Sequence, residues 1–310
     1  MSSRAASTRS PSSRPSTTSA SGPPAPHSAR LPRRIDPMYR QRFGLTGHPL
    51  PKDAQGKTFF DQGLGYQKLE RAFRQLVDDP GLGVLTADAG VGKTAAIRNL
   101  CAQLPRPDYL VLYLCDTAVA PLDLYRTLAT ELGVRPSHRR AQLWTDLKKT
   151  LVHLVDERGT SPLIILDEAQ HLSDPFLIDL SGFLNFAFDS RDLLTLWLVG
   201  LPPLTRHLRM QQHAPLAMRV VHQVHLEPLD RERFRALIEH GLKAAGATQT
   251  VLADPARELL FRASRGVPRV ASHLLRRALH EAHTRNQTFI DDHTMEAAID
   301  AAPAVQAVAG

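Results

Sequence analysis

The stretch Gly83-Val84-Leu85-Thr86-Ala87-Asp88-Ala89-Gly90-Val91-Gly92-Lys93-Thr94 decides how this chain folds. A short apolar run leads into it, and a helix-like run, Ala95-Ala96-Ile97-Arg98-Asn99-Leu100, leaves it. Strand, Gly-rich turn, Lys-Thr and helix is the setting in which a G-x-x-x-x-G-K-[ST] pattern becomes a phosphate site. Backbone N–H groups of the turn and the positive end of the helix surround an anion there. Asp88, Ala89, Gly90, Val91, Gly92, Lys93 and Thr94 are therefore the candidate cradle. The pattern asks for glycine at position 87, where this chain has Ala87, and alanine tolerates positive φ poorly.

A second motif strengthens the first. Leu163-Ile164-Ile165-Leu166 is bounded by Ser161-Pro162 and followed by Asp167-Glu168-Ala169-Gln170. An unbroken apolar run of this length reads as a strand buried on both faces of a parallel sheet. The two carboxylates then sit at its C-terminal end, where open α/β sheets bind ligands. Together the motifs predict a nucleoside triphosphate site, with ATP and Mg²⁺ as cofactors. Lys93 reaches the β- and γ-phosphates, the Thr94 hydroxyl and Asp167 hold Mg²⁺, and Glu168 orients the attacking water.

The 310 residues are 43% hydrophobic and 22% charged, enough for one large domain or two smaller ones with real cores. No apolar run approaches the roughly 18–20 residues of a membrane span, and the N-terminus lacks the apolar core of a signal peptide. Cys101 and Cys115 are the only cysteines and read as small buried hydrophobes, not as a disulfide or zinc framework. A cytoplasmic protein without membrane contact is expected.

Residues 1–36 form a Ser/Pro/Arg-rich tail with too little apolar surface to fold, and disorder is expected. The tail explains the charge. Of the net +7, residues 36–310 supply only +1, from 32 basic and 31 acidic side chains. The high pI is thus no sign of a basic folded domain. An Arg-rich arm can grip phosphates without reading sequence, and a functionless extension is the other reading.

A helix is predicted from Leu64 to Val77, with Leu69, Phe73, Leu76 and Val77 on one face. Strand-like runs follow at 83–86, 109–115, 163–167 and 194–200, with helical runs at 93–104, 121–132, 141–156 and 174–188 between and after them. Alternation of this kind predicts an α/β fold, a parallel sheet sandwiched by helices. After Val224-His225-Leu226 only helical runs remain, at 229–245, 254–264, 267–285 and 291–300. The expected organisation is an α/β nucleotide-binding domain at 37–227, a small all-helical lid at 228–302 and a flexible end at 303–310.

At this point the chain resembles the AAA+ ATPases, in particular the ExeA-like ATPases and the TniB/TnsC-type transposition ATPases. Arg40-Gln41-Arg42-Phe43-Gly44-Leu45 with Pro49 looks like the opening motif of the ExeA-like group. Leu166-Asp167-Glu168-Ala169-Gln170, Leu198-Val199-Gly200-Leu201-Pro202 and Gly266-Val267-Pro268-Arg269 resemble its later motifs, in the same order. The resemblance covers about residues 38–302. It implies that Arg219 is an arginine finger acting in trans on a neighbouring subunit, with Arg206 and Arg209 nearby as competitors. Fingers contribute about 10³–10⁵ in rate. It further implies that Arg269 is a second sensor on the γ-phosphate side. Relatives carry a polar residue where this chain has Leu201. With Ala87, that departure points to slow hydrolysis.

The resemblance implies an ATP-dependent regulator of transposition that forms a homo-oligomer on double-stranded DNA and recruits or activates a transposase. Two other functions stay open: an ExeA-like secretion or envelope ATPase, and a nonhydrolytic ATP-binding scaffold. Members with the envelope role usually continue into a membrane segment and a wall-binding domain, and the chain's end at Gly310 makes the DNA role the expected one. Arg135, Arg139 and Arg140, with Lys148-Lys149 just beyond, are the densest basic run outside the tail and the candidate DNA contacts. The 14 histidines show no metal spacing: His273, His280 and His283 lack partners, and His207, His213, His222 and His225 read as surface or interface residues. Trp144 and Trp197 read as core.

Overall fold

The computed structural model describes residues 39–61, 63–105 and 107–302. The tail at 1–36 and the end at 303–310 lie outside the described residues. The strands are β1 (Leu82–Ala87), β2 (Tyr109–Leu114), β3 (Ser161–Leu166), β4 (Thr195–Gly200) and β5 (Val220–Leu226). The helices are α1 (Tyr39–Arg42), α2 (Leu64–Asp78), α3 (Lys93–Cys101), α4 (Pro121–Glu131), α5 (Arg140–Asp156), α6 (Asp174–Phe183), α7 (Pro203–Leu208), α8 (Ala214–Ala217), α9 (Arg231–Ala244), α10 (Asp254–Ser264), α11 (Pro268–Thr284) and α12 (Asp292–Asp300).

The strands form one parallel sheet in the order β2-β3-β4-β1-β5. Period-two alternation sends neighbouring residues to opposite faces. Ile164 and Leu166 of β3 join Leu196 and Leu198 of β4 under α4, α5 and α6, while Leu163 and Ile165 join Trp197 and Val199 under α2 and α3. Both faces are thus covered, as the unbroken apolar runs demanded. Trp197 is wholly buried and stacks on Phe73 of α2, with ring centroids 6.1 Å apart.

β5 was not foreseen as a strand. It is an edge strand with exposed Val221, Gln223 and His225, so its polar residues break the apolar run on which the reading relied. Helix α6 also stops at Phe183, short of the expected 188. Lys148 Nζ donates to the Gly182 and Asn185 carbonyls at the helix end, and residues 187–189 turn into the left-handed region.

The helices after β5 share a separate apolar cluster containing Phe234, Ile238, Leu260, Leu275, Leu279 and Met295. Asp230 and Asp291 cap α9 and α12 by accepting N–H bonds from Arg233 and Thr294. Phe43 and Leu45 pack into this same cluster, Thr46 N–H donates to the Ala245 carbonyl, and Ser272 donates to the Leu50 carbonyl. By packing, the segment around 42–50 goes with the helices of 228–302, although in sequence it precedes the sheet. The chain runs through the helical layer before it builds the sheet and returns to it afterwards.

Candidate functional site

The turn after β1 winds through Gly90 and Gly92, whose φ values are +83° and +120°. Only glycine enters that region without strain. Ala87 is the last residue of β1 and is not left-handed, so its methyl group meets no conformational penalty. Lys93 starts α3 and donates to the Ala87 carbonyl at 2.8 Å and the Asp88 carbonyl at 3.3 Å. Burial lowers the Lys93 ammonium below the usual lysine range; the charges of Glu168 and Asp167 oppose that shift, and Arg269 adds to it.

β3 delivers Asp167 to the same place. One of its oxygens, Oδ2, accepts from Thr94 Oγ1 at 2.6 Å and from Tyr113 Oη at 2.8 Å. The other, Oδ1, accepts the Glu168 N–H at 2.9 Å. Asp167 is 3% exposed, so these donors replace the water it loses. Burial and the neighbouring Asp167 raise the Tyr113 hydroxyl above its usual range, which keeps it protonated and able to donate. Thr94 and Asp167 present hard oxygen donors side by side, which is the donor set Mg²⁺ takes alongside phosphate oxygens.

Glu168 has φ +54°, an uncommon conformation for a non-glycine residue. Thr117 Oγ1 donates to its carbonyl at 2.8 Å. Its carboxylate Oε2 accepts from Gln170 Nε2 at 2.7 Å, and Gln170 Oε1 in turn accepts the Leu201 N–H at 2.9 Å. Gly200 permits that arrangement, since a Cβ there would lie 2.6 Å from Gln170 Oε1.

Lys93, Thr94, Asp167, Glu168 and Arg269 all line one cleft of about 550 Å³, a size suited to a small ligand. One wall is the turn after β1 and the end of β3. The other is the helical layer, through Leu237, His240, Arg269 and His273, with Pro49, Leu50 and Phe60 of the early segment. The two walls touch where Arg269 N–H donates to the Gly90 carbonyl at 3.2 Å. Arg219 lines no part of the cleft; it pairs with Asp189 at 2.5 Å.

Several residues were missed from sequence. Tyr113 was hidden inside an apolar run, although its place at the carboxyl end of β2, beside β3, is the signal that could have found it. Cys115, expected to be buried, is exposed and lines the cleft. His213, read from sequence as a surface or interface residue, is 1% exposed. Of the basic run, Arg135 and Arg139 are exposed. Arg140 is exposed as well, but pairs with Asp179 and lies over the Trp144 ring, and Lys148 caps α6.

Residues 75–208 match the family model described as an AAA domain. The fold is the P-loop AAA+ fold. General secretion pathway protein A of Aeromonas hydrophila, an ExeA-type relative, is 30% identical over 250 residues, 80% of this chain. The chain spans 45% of that protein's length. Among solved structures, Drosophila ORC bound to DNA aligns with a TM-score of 0.65 at 16% identity, covering 95% of this chain and 73% of that one. Cdc6p from Pyrobaculum aerophilum aligns at 0.61 and 16%, covering 81% and 68%. The Thermotoga maritima RuvB Holliday junction branch migration motor aligns at 0.56 and 17%, covering 82% and 73%. At such identities these structures establish the fold alone. Among the described residues, no helix is long and apolar enough to cross a membrane.

Proposed function

We propose that this chain is a slow ATP-hydrolysing switch that assembles as a homo-oligomer on double-stranded DNA and regulates transposition by recruiting or activating a transposase. The observation that carries the nucleotide part is the convergence of Lys93, Thr94, Asp167, Glu168 and Arg269 on one cleft. The amides of Asp88 to Gly92 and the Lys93 ammonium bind the polyphosphate. Thr94 and Asp167 hold Mg²⁺, which when bound offsets charge on the phosphate oxygens. Glu168, steered by Gln170, orients the attacking water. Arg269 reads the γ-phosphate and, through its bond to Gly90, couples nucleotide state to the set of the lid at 228–302. Arg219 lies away from its own cleft, which suits a finger that serves a neighbouring subunit.

Three things support the DNA part: the motif order shared with TniB/TnsC-type ATPases, the fold shared with DNA-bound Drosophila ORC and the Holliday junction motor RuvB, and the exposed Arg135 and Arg139. Such a protein acts in the cytoplasm. The secretion relative favours a second reading, an ExeA-like ATPase of the envelope. Sedimentation with duplex DNA separates them. The first reading expects co-sedimentation that requires ATP and fails in Lys93→Ala; ATP hydrolysis without any ATP-dependent DNA assembly overturns it in favour of the second. ATP binding without measurable turnover, even with DNA, makes the chain a nonhydrolytic scaffold.

A further inference from the structure

Away from the cleft, three side chains from separate segments meet. Asp174 opens α6, His207 lies in the last turn of α7, and His213 ends the short turn Gln211–His213. Asp174 Oδ1 lies 2.5 Å from His207 Nε2 and 2.9 Å from His213 Nε2. These ligand atoms all lie within 4.8 Å of one another. The imidazoles stand edge to face at 86°, with centroids 5.0 Å apart. Gln212 Nε2 donates to the other carboxylate oxygen at 2.9 Å and holds the carboxylate in place.

From this arrangement we propose a structural site for a divalent transition metal of the zinc class, ligated by Asp174, His207 and His213. Two imidazole nitrogens and one carboxylate oxygen are a donor set such ions take, with a fourth position left to water. Tetrahedral ligation at about 2.0–2.1 Å places donor atoms about 3.3 Å apart, so the two contacts to Asp174 need to open by less than about 1 Å. The side chain of His213 is fully buried, which fixes one ligand, while His207 and Asp174 are 22% and 47% exposed and leave a path for the ion. Gln212 acts on the ligand carboxylate as outer partners do in metal sites.

The site has a structural logic. Glu168 and Gln170 lead into α6, Leu201 leads into α7, and residues 214–217 lead from His213 to Arg219. An ion at this point ties together the three segments that carry Glu168 with Gln170, Leu201 and Arg219. Without an ion, the same three groups form a hydrogen-bonded tie between α6 and α7.

Titration of the full, tag-free chain separates these states. Chelator-stripped protein is titrated with ZnCl₂ and, separately, CoCl₂, in excess Mg²⁺ and without nucleotide. The expected result is a single Zn²⁺ bound per chain and a visible cobalt ligand-field spectrum of tetrahedral type. His207→Ala should weaken Zn²⁺ binding by at least about 100-fold and Gln212→Ala by about 10-fold. A chain with both His280→Ala and His283→Ala should bind like the wild type. The cobalt spectrum is read on the wild type and depends on no variant's folding. Absence of stoichiometric binding by the wild type, or equal affinity in His207→Ala, overturns the proposal and leaves the hydrogen-bonded tie.

Discussion

His48 makes the protein's stability depend on pH in a calculable way. Its Nδ1 accepts the Leu50 N–H at 3.0 Å, which requires an unprotonated nitrogen. Burial, then the nearby positive charges of Arg276, Arg40 and His273, lower its pKa from 6.5 to about 4. Unfolded, the ring takes a proton near 6.5; folded, it does so only near 4. Above pH 6.5 both states are neutral and the contribution is whole. Between the two values only the unfolded chain gains the proton, so stability falls as pH falls and the loss is complete below about 4. From pH 7.5 to 5.0 the full linkage amounts to about 2 kcal/mol, and solvent screening at this incompletely buried ring reduces it to about 1–2 kcal/mol. Urea unfolding at the two pH values checks this, in wild type and in His48→Gln, whose amide oxygen can still accept the Leu50 N–H. With a urea m-value of about 3 kcal/mol/M, the wild-type midpoint should drop by roughly 0.3–0.7 M more than that of the variant. Nucleotide affinity should weaken over the same window, because Pro49 and Leu50 line the cleft. Equal pH dependence of the two proteins refutes the reasoning.

Lys93→Ala should abolish nucleotide binding in a fluorescent-ATP titration while leaving the circular dichroism spectrum unchanged. Glu168→Gln should keep ATP and trap the assembled state, seen as slowed dissociation in sedimentation; loss of assembly in that variant contradicts the role given to Glu168. Gly200→Ala should push the Gln170 amide off the Leu201 N–H, costing about 1–3 kcal/mol in urea unfolding and slowing ATP turnover more than it weakens ATP binding. Arg219→Ala should lose most of the assembly-stimulated ATPase rate with ATP affinity intact, and mixing it with Lys93→Ala protein should restore part of that rate; a mixture as inactive as its parts counts against action in trans.

The layered fold was legible because the signals that fix it are local. Leu163 to Leu166 are buried on both faces, as an unbroken apolar run must be, and the Gly90–Gly92 turn needs only its glycines and the strand before it. What escaped depends on contacts far apart in sequence. Phe43 and Leu45 lie within 37–227 in the chain but pack with the helices of 228–302, because the apolar cluster that accepts them forms only once those helices meet. β5 escaped because an edge strand exposes one side and carries His222, Gln223 and His225. Tyr113 carries no motif, and its role follows from the register that sets it beside Ile165, two residues before Asp167. Likewise, Asp174, His207 and His213 show no metal spacing in sequence because three segments supply one residue each.

Ala87 and Leu201 appeared in sequence as two departures of the same kind, and the structure separates them. Position 87 ends a strand, and the backbone does not turn there; Gly90 and Gly92 supply the turn. What the site takes from residue 87 is its carbonyl, which accepts from Lys93, and alanine offers that as well as glycine does. Nothing at Ala87 therefore slows the reaction. Leu201 differs, because the polar residue that the resembled ATPases carry there acts through its side chain and leucine has no polar atom to give. Gln170 compensates only in part: its carbonyl takes the Leu201 N–H and its amide steers Glu168, so the loop after β4 still bears on the carboxylate through a backbone bond. On the role proposed for Glu168, that linkage would orient the carboxylate but place no second polar group on the water. Any sluggishness in turnover thus belongs to water positioning at Glu168, and phosphate binding at the turn after β1 should be unimpaired.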